Sequence, residues 1–207
     1  ESRGDPPCVL SLADLDVDAP AYLWCGVTST LSAGPGIPAS FAKATANGDR
    51  PGPRTLRATR MITAPGGHPI PLFRAMLPWY ARGLAIRTMV AELAPDARIG
   101  TRVAKELEGD AEFVKVVYHA MPPGAPRLGR EELAAVVDAA RASGRRVLAH
   151  VATAAEAVEA AQAGVAVLMH VPSEDLLTPD QIGILRASGV AVVTTARTWA
   201  VLQAALE

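Results

Sequence analysis

The chain has 207 residues, enough for one sizeable domain and too few for two ordinary ones. Half of them are hydrophobic, but Phe, Trp and Tyr number three each, so Ala, Val and Leu must fill most of a packed core. A formal net charge of −1 without a basic block or acidic tail gives no electrostatic reason to expect nucleic acid or an anionic membrane as partner. No apolar stretch approaches the roughly 20 residues that cross a bilayer.

Residues 1–20, with several Asp and Pro, give no firm element. Cys8 and Cys25 are the only cysteines and stand in no ligand-like spacing, which reads as buried or idle thiols. The start at Glu1 shows no signal-peptide pattern, and the compartment is not readable. Gly26-Val-Thr-Ser-Thr-Leu31 and Leu56-Arg-Ala-Thr-Arg-Met-Ile62 read as strands. Gly/Pro-rich stretches at 32–54 and 64–79 read as long loops, which in a compact α/β domain are usually functional or mobile.

The later chain is more regular. A helix is expected over 98–109, and Glu112-Phe-Val-Lys-Val-Val-Tyr118 is a β-branched run of strand length. Gly129 to Ala142 carries Leu133, Val136, Val137 and Ala140 at helical spacing, with Gly144 as a stop. Arg146-Val-Leu-Ala-His150 is a buried strand running into an imidazole. Thr153-Ala-Ala-Glu156 matches a capping box for a helix that Gly164 closes, and Ala166-Val-Leu-Met-His170 repeats the strand-then-histidine pattern. Thr178-Pro-Asp-Gln181 supplies an N-cap, a first-turn proline and a capping glutamine for a helix ending at Gly189, and Val190–Thr195 is a last strand. This β-α-β-α-β-α-β run at a period near 20–28 residues demands a parallel α/β sheet with right-handed crossovers.

His150 and His170 end neighbouring parallel strands, the edge at which βα barrels gather their active sites, so the two can meet at a single metal ion. Neutral imidazole suits zinc and related divalent ions. Either histidine could instead be a hydrogen-bonded structural residue. Lys115 is one of three lysines, with Lys43 and Lys105, and stands inside Phe-Val-Lys-Val-Val. Facing the core, its ammonium needs a partner or a lowered pKa. Carboxylation by carbon dioxide would make it an anionic oxygen ligand that bridges two metals; facing the other way, it snorkels to water. His68, in Thr63-Ala-Pro-Gly-Gly-His68-Pro, is either a substrate contact over the site or an exposed loop histidine. Tyr118 and His119 follow the Lys115 strand and are candidate substrate contacts at the rim; a structural hydrogen bond is the alternative for His119. Glu131, Glu132, Asp138 and Glu156 read as helix-surface carboxylates. There is no GxSxG, no P-loop and no GxGxxG followed by the expected acidic residue.

Together these residues resemble the amidohydrolase superfamily, in particular its imidazolonepropionase-like branch with Xaa-Pro and Xaa-Arg/Lys dipeptidases. The matching stretches are Gly26-Val-Thr-Ser-Thr, Ile62-Thr-Ala-Pro-Gly-Gly-His68, Glu112-Phe-Val-Lys-Val, Glu131 through His150, and Gly164-Val-Ala-Val-Leu-Met-His170. The resemblance implies an incomplete (β/α)8 TIM-type barrel in which a single domain, residues 1–207, supplies about strands two to seven. It implies a carboxylated Lys115 and ligands His150 and His170 around one or two divalent ions, zinc above all. It also implies a small-molecule amide or dipeptide substrate.

Departures accompany the match. No His-x-His pair of the family's first strand occurs, the chain stops at Glu207 before an eighth-strand Asp, and no β-sandwich domain is visible. Val151-Ala152-Thr153 follows His150 where many relatives have His or Tyr. The leading expectation is a metal-dependent hydrolase of C–N bonds (amide, cyclic amide or dipeptide) using a metal-activated water, an activity expected of the full-length parent. The competing one is a degenerate, non-catalytic binding or scaffold protein. A third uses Lys115 as a Schiff-base amine. An open barrel exposes sheet edges, so either self-association into a homo-oligomer or replacement of the missing strands from elsewhere is expected.

Overall fold

The computed structural model describes residues 15–94 and 98–195. In chain order the elements are α1 (Leu15–Trp24), β1 (Ser29–Ser32), α2 (Ala39–Asn47), β2 (Arg54–Thr63), α3 (Ile70–Met76), α4 (Trp79–Met89) and β3 (Val90–Glu92). They continue with α5 (Ile99–Leu107), β4 (Phe113–Val117), α6 (Arg130–Ala142), β5 (Arg146–His150), α7 (Ala154–Gln162), β6 (Val167–Met169), α8 (Pro179–Ser188) and β7 (Ala191–Val193). The strands from the second half of the chain stand within a residue or two of the sequence expectation. So do their helices, because the capping chemistry is local: Thr153 and Thr178 each accept the N–H of the residue three places on, and Gly189 ends α8 at φ +69°.

All strand pairings are parallel, in the order β1-β2-β4-β5-β6-β7, with short β3 pairing the end of β2. Alternating with helices, six of these strands curl into part of a barrel, as expected for about strands two to seven of a (β/α)8 fold. β1 and β7 end the order, and among the described residues no strand pairs their outer edges. No described helix is long and apolar enough to cross a membrane.

The two expected long loops are a correction. Stretch 32–54 contains α2, and 64–79 contains α3 and the start of α4. Their prolines mark helix starts: Pro38, Pro69 and Pro78 each stand immediately before a first helical residue, where a missing N–H costs nothing. α4 buries none of its residues, so no apolar period announced it. α1 also falls where no firm element was expected.

β-Strand alternation divides the sheet into two faces. On the helix side, Val114, Val116, Tyr118, Val147, Ala149 and Leu168 pack with Leu133, Val136, Val137 and Ala140 of α6 and Ala157 and Ala160 of α7 in the main core. Burying each such Val or Leu contributes about 1.5–3 kcal/mol. On the inner side, Ala58, Phe113 and Leu148 make a smaller cluster with Leu31, Leu56, Val167 and Met169. That inner cluster is the floor beneath the polar residues described next.

Candidate active site

Lys115 shares the inner face with Phe113 and Val117. Register sets Lys115 beside Leu148 and Val117 beside His150. His150 therefore stands one inner-face step, roughly 6.6 Å, further along the strand direction than Lys115. His150 in turn neighbours Met169 of β6. Strict alternation would send the next residue, His170, toward the helices. Instead its backbone has φ +86°, a left-handed conformation unusual for a side chain of this size, and it presents its ring to His150. Such strain costs on the order of 1–3 kcal/mol. The His170 N–H bonds the Val193 carbonyl at 2.9 Å, and Nδ1 lies 2.7 Å from the Thr195 hydroxyl, which together hold the turn.

All four histidines of the chain meet here. Around His150, ring centroids lie at 4.8 Å (His170), 5.4 Å (His68, stacked) and 6.0 Å (His119). His68 arrives on the loop after β2. Gly67 shapes that loop: its N–H bonds the Ala64 carbonyl at 2.8 Å, and a Cβ at Gly67 would fall 2.6 Å from the Pro126 carbonyl oxygen. Backbone packing of that closeness explains the glycine before His68.

Electrostatics follow from enclosure. Lys115 is 5% exposed, and burial pushes its amine down to about 7. Burial, then the Lys115 charge and the other histidines, push His150 down to about 2, so its imidazole is neutral at any physiological pH. His68 and His170 are also lowered, mainly by burial. The His150 Nε2 and His68 Nδ1 atoms are buried without a hydrogen-bond partner among the described residues. An unpaired buried nitrogen costs about 1–3 kcal/mol, and these two belong to rings stacked 5.4 Å apart.

Tyr118 and His119 part company. Tyr118 faces the helices, fully buried, with its hydroxyl donating to Glu159 at 2.7 Å and the Arg127 guanidinium 4.7 Å above its ring. The expectation that it contacts substrate is corrected: adjacent strand residues point to opposite faces. His119 returns to the Lys115 face and is buried. Its Nδ1 lies 3.1 Å from both Glu156 carboxylate oxygens, and its Nε2 is 3.2 Å from Glu174. Glu156 was expected on a helix surface. It is buried, and its carboxylate accepts the N–H groups of Ala152 and Thr153 as well as facing His119. The capping-box position was its only signal in the sequence, and nothing local announced Glu174 or Thr195.

Among the described residues, no three His, Cys, Asp or Glu side chains converge in a metal-binding group; the pocket brings together a lysine and histidines. The Amidohydrolase family model matches residues 27–206.

The chain belongs to the amidohydrolase family.

Similar solved structures include a prolidase complexed with N-methylphosphonate-L-proline, 25% identical over 85% of this chain and 44% of that one, TM-score 0.66. The A. niger ochratoxinase is 22% identical over 94% and 47%, TM-score 0.76. A Xaa-Pro dipeptidase with methionine bound in its active site is 22% identical over 81% and 42%, TM-score 0.62. This amidohydrolase thus spans less than half the length of each of these structures. No curated protein matches the chain. The dipeptidase-like neighbours agree with the branch that the strand-end residues resemble.

Proposed function

We propose that this pocket is the metal-dependent hydrolytic centre of an amidohydrolase cleaving C–N bonds of small amides, cyclic amides or dipeptides. One observation carries the reading most: the buried, unpartnered Nε2 of His150, neutral and set beside Lys115 and His170. A nitrogen lone pair kept unprotonated and unbonded is a ligand atom in waiting. The family relationship and the prolidase-like neighbours support the same chemistry.

Lys115, His150 and His170 are the proposed metal ligands, and the imidazole donors favour zinc. A divalent ion bound here supplies Lewis acidity, activating water and polarising the scissile carbonyl. The chain's own residues prepare the place. An amine titrating near 7 is roughly half uncharged at neutral pH, and the uncharged amine attacks carbon dioxide. A C–N bond forms, the nitrogen loses a proton, and the carbamate offers oxygen ligands. Leu148 and Phe113 beneath Lys115 exclude water from its stem. His68, whose ring stacks on that of His150, is the proposed substrate contact.

The absence of a three-membered His, Cys, Asp or Glu group among the described residues favours a second reading, a degenerate amidohydrolase that binds without catalysis. Metal analysis separates the two. Protein expressed with added zinc should carry near-stoichiometric metal, and Lys115→Ala and His150→Ala should each lose most of it. Retention in both variants removes the proposed ligand set, and an empty parent chain favours the non-catalytic reading.

A further inference from the structure

β2 pairs with β4 out of step. Ala58 stands beside Phe113 and Met61 beside Lys115, so β2 advances three residues while β4 advances two. The extra residue makes a β-bulge at Thr59 and Arg60, a device that re-aims side chains. Thr59 is buried and fills the break in the ladder with its own hydroxyl. That hydroxyl accepts the Lys115 N–H at 3.0 Å and donates to the Arg60 carbonyl at 2.9 Å. Regular pairing brackets the break. Before it, the Glu112 N–H bonds the Arg57 carbonyl at 2.9 Å; after it, Ile62 pairs with Val116.

The bulge decides which residue of β2 adjoins Lys115. Ala58 lies in the inner cluster, and unbroken alternation would bring Arg60 inward, level with Lys115. Instead Met61 takes that place and Arg60 leaves for the helix side. There its Nε donates to Glu106 of α5 at 2.8 Å, and a second guanidinium nitrogen pairs with the other Glu106 oxygen. Nη1 donates to the Arg87 carbonyl at 2.8 Å. The distinction matters chemically: an amine can shed its proton and become a ligand, whereas a guanidinium cannot. Inside the pocket, a guanidinium would repel a divalent ion and tie up a carbamate in an ion pair.

We infer that Thr59 is a positioning residue: its hydroxyl latches the bulge that sets Met61 beside Lys115 and keeps the permanent charge of Arg60 out of the pocket. The charge argument rests on the pocket being a metal site; the latch does not.

The test compares Thr59→Val, which keeps the shape and removes the hydroxyl, with Thr59→Ser, which keeps the hydroxyl. Hydrogen exchange is followed by NMR on the whole chain without metal. In Thr59→Val the Lys115 N–H should exchange about tenfold faster than in the parent, and the Arg60 Nε–H should also speed up. The Tyr118 N–H, which bonds the His150 carbonyl at 2.9 Å, should keep its rate, so that global loosening is told apart. Thr59→Ser should match the parent. With added zinc, Thr59→Val should bind the ion about tenfold more weakly. Adding Arg60→Met should recover most of that loss while the Lys115 N–H still exchanges fast. Parental exchange rates in Thr59→Val overturn the latch. Weakened zinc binding that Arg60→Met fails to recover overturns the exclusion of charge. A parent chain that binds no zinc overturns the hydrolase reading and the charge argument with it, while the metal-free arm still decides the latch.

Discussion

The two faces of the central strands make opposite use of neighbouring residues. On β4 and the two residues after it, Val114, Val116 and Tyr118 look toward α6 and α7 and are among the most buried of the described residues, whereas Phe113, Lys115 and His119 look inward. The helix-side set is apolar but for one hydroxyl, which is hydrogen-bonded to Glu159. The inner set ends in a lysine and histidines whose burial is unfavourable to their charged forms. The main core lies on one face and the proposed site on the other, and a substitution should damage one without the other.

The largest effect should come from the helix side. Leu133→Ala empties a fully buried position in the main core, and should cost about 2–5 kcal/mol in denaturant unfolding. Comparable stability to the parent would break the division into faces. Tyr118 gives a pH signature of at most about 2.7 kcal/mol, less whatever solvent screens. Burial, then the Glu159 hydrogen bond, push its hydroxyl up to about 12 from an ordinary value of 10. The folded state then holds a proton that the unfolded state has lost, so stability falls as pH rises from 10 toward 12. Tyr118→Phe should lack that component of the decline; an identical pH profile would place the side chain elsewhere.

On the inner face, Gly67→Ala should cost on the order of 1–3 kcal/mol, because a methyl group meets the Pro126 carbonyl and the backbone must shift. The sharper readout is local: the His68 and His150 ring signals should move together, since the loop carries one ring onto the other. Smallest in stability is Lys115→Met, expected to leave the metal-free protein as stable as the parent or slightly more stable, because a buried amine is replaced by an apolar chain of similar length. The same variant should bind no zinc. A large loss of stability would show Lys115 to be a structural residue and blur the contrast.

Much of this was legible in advance. The βα alternation after residue 98, the caps at Thr153 and Thr178, and the strand positions of Lys115 and His150 follow from local chemistry and strand period. The helices α1 to α4 were hidden by prolines read as loop residues and by faces that bury little. Tyr118 adjoins the Lys115 strand in sequence, but β alternation turns it to the helix side.

The sequence by itself determined the partial parallel barrel, the placement of polar groups at strand ends and the family, because periodicity and capping act between residues near in the chain. Tertiary structure alone decided that Glu156 and Glu174 flank His119, that His170 turns inward at a positive φ, and that His68 stacks on His150. Those contacts join segments 25 to 82 positions apart, and only the curl of the sheet sets their distance.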